Sequence, residues 1–204
     1  MTALAHTLGR RDTAQHAFVT DVALVVGGSL VVAGLAQVYI TLPFTPVPIT
    51  GQTLGVLLVG TSLGWMRGAA AMLLYLLWGA IGLPFFAEGD SGTALLGFAS
   101  ATGGYLWGFV LAALVVGWLA QRGWDRRPGS ALGAMLIGEI IIFTVGVVWL
   151  AQALDIPITG VVGGDPDALD FGLYPFIVGD VIKLLLAAGL LPTAWRLLGR
   201  NRDS

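Results

Sequence analysis

The chain has no cysteine, two histidines and a single lysine, and only 11% of its 204 residues are charged. Without cysteine there is no disulfide framework, thiolate nucleophile or thiolate metal site. Both histidines, His6 and His16, precede the first apolar segment, so a histidine-based centre is not expected and no metal is assigned. An ordinary soluble domain carries about 25% charged residues; this chain has under half of that, too little to cover a water-facing surface. The net charge of −2 and the lack of a basic stripe speak against nucleic acid as a partner. Disorder is excluded by a composition opposite to that of unfolded chains. What the sequence does hold is apolar: 56% of its residues are hydrophobic. That composition is expected of an all-α integral membrane protein with the lipid bilayer as its solvent.

A bilayer core of about 30 Å needs roughly 20 helical residues per crossing. Six apolar segments meet the eye: Phe18 to Tyr39, Thr50 to Trp65, Gly68 to Leu83, Thr102 to Gln121, Ser130 to Leu154, and Leu173 to Arg196. The expected organisation is a tail over 1–17, a six-helix membrane domain over 18–196 and a second tail over 197–204. The first segment is long and leads into further apolar chain, unlike a cleaved signal peptide. No run of alternating apolar and polar residues suggests a membrane barrel.

Nine of the ten basic residues are arginines, and all nine sit at segment ends of the same parity: 10 and 11, 67, 122, 126 and 127, then 196, 200 and 202. The three alternate loops hold no Lys or Arg but carry Glu88, Asp90, Asp155, Asp165, Asp167 and Asp170. The positive-inside rule then places both termini in the cytoplasm, as a multi-pass protein of the cytoplasmic (inner) membrane. Trp65, Trp118, Trp124 and Trp195 fall near the inner ends, as an aromatic belt would place them.

The second and third segments are short, and the outer loops beside them are unusual. Leu42-Pro-Phe-Thr-Pro-Val-Pro-Ile-Thr-Gly51 is uncharged and stiffened by three prolines, and the stretch from Leu83 to Gly104 contains Pro84-Phe-Phe86 and several glycines. Irregular backbone is not tolerated in lipid, and such apolar loops sit poorly in water. They are expected to fold over the outer mouth of the bundle, either as a Pro-rich lid on a cavity or as a rigid plug.

Four ionisable residues lie within the spans: Asp21, Glu139, Asp180 and Lys183. A charge near the bilayer centre costs about 2.5–3.5 kcal/mol on insertion scales. With the last helix entering at Leu173, Asp180 would lie about 10 Å deep and Lys183 about 15 Å deep, and their i, i+3 spacing puts them on one face. A carboxylate beside an ammonium presents acceptors and donors together, which suits a polar ligand. The plainer reading is an ion pair that neutralises itself, although such pairs often gain little over apolar packing. Glu139 has three readings: part of the pocket floor, carrier of a coupled proton, or a neutral hydrogen-bonding group. Asp21 is explained by the dipole at a helix N-terminus and is given no function. Gln52 and Tyr105, at outer helix starts, offer further hydrogen bonds or interfacial anchoring. Trp78 either stacks on a ligand or packs in the bundle.

Catalytic apparatus is missing. No G-x-x-x-x-G-K-[ST] loop, G-x-S-x-G elbow or H-E-x-x-H motif occurs, so no catalytic residue and no cofactor are assigned. A proton- or ion-coupled secondary carrier of a small polar vitamin is the alternative to a capture protein, with Glu139 and Asp180 as its relay.

The run from Leu35 to Gly60, with Leu-Pro-Phe-Thr-Pro-Val-Pro-Ile-Thr-Gly-Gln-Thr-Leu-Gly at its heart, resembles the signature stretch of the BioY family. Gly68 to Ala87, Thr102-Gly-Gly-Tyr-Leu-Trp-Gly-Phe109, and Tyr174-Pro-Phe176 leading to Gly179-Asp-Val-Ile-Lys183 match in order. Glu88-Gly-Asp-Ser-Gly92 departs from a more glycine-rich stretch, and Phe98-Ala-Ser-Ala101 stands in place of an expected Gly-Pro step. The resemblance implies a biotin-binding S component of an energy-coupling factor (ECF) transporter. Biotin would be the transported ligand, held in an outer pocket with Asp180 and Lys183 among its polar residues. A transmembrane coupling protein and cytosolic ATPases are the partners it implies. Ser29-x-x-x-Ala33 on the first helix offers a small-residue face, for a partner or for internal packing.

Overall fold

The computed structural model describes residues 14–160 and 165–200. Arg10, Arg11 and Arg202, and with them most of the expected N-terminal tail, lie outside the described residues, as do the side chains of Trp195, Arg196 and Arg200. The described chain is helical. It runs α1 (Ala14–Ala36), a hairpin of β1 (Tyr39–Ile40) and β2 (Ile49–Thr50), α2 (Gln52–Leu63), α3 (Trp65–Ala80), α4 (Gly103–Gln121), α5 (Pro128–Leu154), the short α6 (Ala168–Gly172) and α7 (Ile177–Arg200). Two 3-10 turns, Ala87–Gly89 and Thr93–Leu96, lie between α3 and α4. Among the described residues three helices, α1, α4 and α5, are long and apolar enough to cross a membrane.

α4 is central, packing along α5, α2 and α3, while α1 lies against α2 and α3 and α7 against α5 and α2. The core follows from this: Val32, Val56, Met72, Tyr75, Phe109 and Ile142 meet in one cluster fed by α1 to α5. Nine of the twelve residues of α2 are buried, so this short helix is an interior element enclosed by its neighbours. Its join to α3 is a single residue, Gly64, at φ 83° and ψ 173°, a conformation that glycine alone enters freely. Gly117 of α4 lies against that turn; a Cβ there would come 2.5 Å from the Trp65 backbone nitrogen.

The single-residue turn changes two expectations. Arg67 stands in the first turn of α3 and not in an inter-helix loop. It pairs with Asp21 at 2.6 Å. Asp21 is seven residues into α1, about 10 Å along the axis and beyond the first turn where the dipole acts. Asp21 is therefore explained by cross-linking α1 to α3 and not by a helix terminus. Ser29 and Ala33 are both buried, so their small face packs within the bundle.

The last helix also starts later than expected. Tyr174-Pro-Phe176 forms a turn, and α7 begins at Ile177. Asp180 thus sits in the first helical turn, roughly 5 Å along the axis, with Lys183 roughly 9 Å along it. A carboxylate suits that end of the dipole, whereas the ammonium must be held by other groups. Just before the turn lies α6, in a stretch expected to be an outer loop. Asp167 and Asp170 form a reciprocal capping box around its first turn.

Candidate functional site

Polar side chains converge where the first turns of α2 and α7 meet. Lys183 Nζ donates to Thr53 Oγ1 at 2.7 Å and to the Thr50 carbonyl oxygen at 3.0 Å, and it forms an ion pair with Asp180. Its three protons are therefore matched by three acceptors. The Thr53 hydroxyl lies 3.4 Å from Asp180 Oδ1. Buried ions are tolerated in this way, paired and hydrogen-bonded. The carbonyl supplied by Thr50 belongs to the hairpin, because β2 pairs antiparallel with β1 and leads directly into α2.

Above Lys183 opens a cavity of about 230 Å³. The hairpin loop walls one side with Pro46, Val47 and Pro48. Phe143 and Phe176 supply aromatic surface, and Glu88 of the first 3-10 turn and Asp90 just after that turn also line it. The proline-rich loop is consequently a cover over a space. Thr45 Oγ1 donates to the Phe171 carbonyl oxygen at 2.6 Å and so ties this loop to α6, while Gln37 Nε2, just after α1, donates to the Phe86 carbonyl oxygen at 3.0 Å and ties the end of α1 to the segment that follows α3.

Of the residues singled out from the sequence, Lys183, Gln52 and Tyr105 line this cavity. Gln52 is buried and already engaged: its Nε2 donates to Tyr75 Oη at 2.6 Å, and its Oε1 accepts from Thr50 Oγ1 at 2.9 Å. Tyr105 contributes its ring, because its hydroxyl is committed to the Gly172 carbonyl oxygen at 2.8 Å. Asp180, 5% exposed, stands behind Lys183 and reaches the cavity through it.

Two residues are placed elsewhere. Trp78 is outside the cavity lining, half-buried with its indole N–H unpartnered among the described residues. One turn earlier on α3, Tyr75 takes the inward position and completes the Gln52 network. Glu139 likewise does not line the cavity. It lies behind Asp180, 4% exposed, at the base of an apolar groove between α5 and α7 that includes Ile140, Ile177 and Val181.

Sequence reasoning missed Thr53, Tyr75 and Phe86. Thr53 carried a usable signal, a hydroxyl in the first turn of an otherwise apolar helix beside Gln52. Nothing local distinguishes Tyr75 or Phe86 from packing aromatics. Chemically, the site presents an ammonium, backed by its carboxylate partner, at the floor of an aromatic-walled pocket, an arrangement suited to holding a small polar molecule.

Comparison with known proteins agrees with this picture. The family model described as BioY family matches residues 6–200. A protein of Rhizobium etli named biotin transporter BioY is 39% identical over 156 residues, covering 73% of this chain and 78% of the relative. A protein of the same name from Thermotoga maritima is 37% identical, over 78% of this chain and 86% of the relative. The solved S-component for biotin from an ECF-type ABC transporter superimposes with a TM-score of 0.77. It shares 25% identity, over 90% of this chain and 95% of that one.

Proposed function

The chain belongs to the BioY family, and on that premise we propose that it captures biotin at the outer face of the cytoplasmic membrane as the substrate-binding component of an ECF-type transporter. Its relatives are named as transporters of biotin, and it is not an enzyme. The observation that carries the reading is the Asp180–Lys183 pair, held by Thr50 and Thr53 at the floor of a covered cavity.

Biotin fits that floor by its chemistry. Its ureido ring offers two N–H donors and one carbonyl acceptor, and its tail ends in a carboxylate. Lys183, which lines the cavity, exchanges one of its bonds to Thr50 or Thr53 for the ureido oxygen or the carboxylate of biotin, and Asp180, behind it, holds the ammonium in place for that contact. Gln52 and the ring of Tyr105 complete the walls. Trp78 packs in the bundle, and Glu139 supports the floor from behind.

Six spans with both termini cytoplasmic complete the proposal. The single parity of the arginines supports it, as does the Arg122 guanidinium stacked 3.2 Å from the centroid of Trp118 at one end of α4. A transmembrane coupling protein and cytosolic ATPases are the partners proposed for the uptake step. Titration of the purified protein in detergent with biotin and with other vitamins tests capture. Saturable binding of biotin alone, lost in Lys183→Ala, is the expected result. Absence of biotin binding, or a Lys183→Ala protein that binds as wild type, would defeat it.

A further inference from the structure

We propose that Glu88 and Asp90 are specificity-determining residues of the cavity, which widen its ligand class from free biotin to amides of biotin whose tail end is neutral or cationic. The proposal rests on the reading of that cavity as the biotin site.

Charge is unevenly distributed around the cavity. Besides Tyr105, its ionisable lining residues are Lys183, Glu88 and Asp90. Lys183 is enclosed, with 13% of its side chain exposed, and its charge is matched by Asp180. Glu88 and Asp90 line the same cavity and yet are exposed, so they stand where it opens to water. Among the described residues neither has an ion-pair partner. Arg67 lies at the start of α3, whose far end leads to Glu88, and Arg122, Arg126 and Arg127 lie beyond the far end of α4. The floor is therefore electrically balanced, while the mouth carries two uncompensated carboxylates. Glu88 is moreover held at φ 63° and ψ 12°, a left-handed conformation that glycine would enter more freely.

Biotin has a neutral end and a charged end, and the two meet different surroundings. With the ureido ring at the floor, its carbonyl oxygen takes a bond from Lys183 and leaves the charge balance of the pair intact. With the carboxylate there, one ammonium would serve two buried anions, a costly arrangement away from water. The ureido end therefore goes to the floor and the tail comes up to the mouth. A free carboxylate meets two groups of its own sign at that point. An amide avoids the repulsion, and an ammonium beyond the amide gains attraction. The hydroxyls of Ser100 and Thr102, 3.2 Å apart in the lining, offer hydrogen bonds to an uncharged tail. Exposed charge pairs are weak, so each carboxylate is worth a few-fold in affinity.

Three ligands with one head and different tails test this by titration of the purified protein in detergent: biotin, biotinamide, and the amide of biotin with ethylenediamine, whose free amine is an ammonium at neutral pH. Saturable binding of all three is expected. In Glu88→Gln/Asp90→Asn the affinity for biotin relative to biotinamide should rise about three- to tenfold, and that for the ethylenediamine amide relative to biotinamide should fall by a similar factor. Biotinamide is the internal reference, because a change of shape alone moves all three ligands together. Ratios that do not move would overturn the proposal, as would a wild-type protein that binds biotin and neither amide. If the variant does not fold, wild-type ratios at about 20 mM and about 500 mM salt decide instead: screening should shift them in the same directions, and salt-independent ratios would overturn the proposal. A wild-type protein that binds none of the three would defeat the capture reading itself, whereas biotin bound with unmoved ratios defeats the role of Glu88 and Asp90 alone.

Discussion

The ring of Phe86 fills the space that a side chain on Gly79 would need: a Cβ there would overlap Cζ, Cε1 and Cε2 of the ring. The same ring meets Tyr75 edge-on, with centroids 5.6 Å apart and planes at 81°. Phe86 therefore wedges between α3 and the segment that edges the cavity, and one face of the cavity depends on the absence of a methyl group.

Gly79→Ala is expected to displace Phe86, costing about 1–3 kcal/mol through overpacking and weakening biotin binding along with it. Gly27→Ala is the matched control, because a Cβ at Gly27 meets nothing within 4 Å. Thermal unfolding and biotin titration of the two variants in detergent check this. Equal behaviour of Gly79→Ala and Gly27→Ala would show that the ring yields freely.

The floor of the site makes a second, non-additive prediction. Asp180→Ala alone leaves the Lys183 ammonium buried without its anion, which costs about 3–5 kcal/mol. Adding Lys183→Met removes the stranded charge, so the double variant should unfold at a higher temperature than Asp180→Ala while still failing to bind biotin. If the single and double variants are equally unstable, the two side chains do not act as a buried pair.

Tyr105 separates structure from recognition. Its hydroxyl ties α4 to Gly172 at the end of α6, while its ring lines the cavity. Tyr105→Phe keeps the ring and loses one buried hydrogen bond, a stability cost of about 1 kcal/mol with affinity changed by less than about threefold. A much larger loss of affinity would place the hydroxyl in contact with biotin.

Those residues were legible in the sequence to different degrees. Asp180, Lys183 and Glu139 stood out because a charge in an apolar span is costly enough to require a reason. Their relationship did not: the i, i+3 spacing gave the Asp180–Lys183 pair, but nothing in one dimension says that Glu139 of α5 stands behind it. The helix segments were visible from apolar length, and their joints were less so. Gly64 shortened one connection to a single residue, which drew Arg67 into α3 and onto Asp21. Pro175 was the overlooked signal at the last helix, since proline favours a position just before or at a helix start. Trp78 and Tyr75 share α3 three residues apart, and only the packing of α2 decides which of them faces Gln52.

The capping box of α6 makes the last prediction, one of pH. The carboxylate of Asp167 accepts from the backbone N–H of Gly160 at 2.5 Å, of Asp170 at 3.0 Å and of Leu169 at 2.8 Å. These bonds, Gly160 first and then Asp170 and Leu169, hold its pKa below the ordinary carboxylate value. Because the folded value is depressed, the stabilisation is present above the unfolded value, about 3.9, and is lost as pH falls through the folded one. Protection of the Leu169 and Asp170 amides from hydrogen exchange, corrected for intrinsic rates, should therefore hold at pH 5 and above and decline in more acidic solution. Asp167→Ala should show the loosened state at every pH, while Asp167→Asn keeps a capping acceptor and should lose the acid-dependent step. Protection that is unchanged with pH, or unchanged in Asp167→Ala, would show that α6 is held by the burial of Ala168 against Val147 and Ala151 and not by its cap.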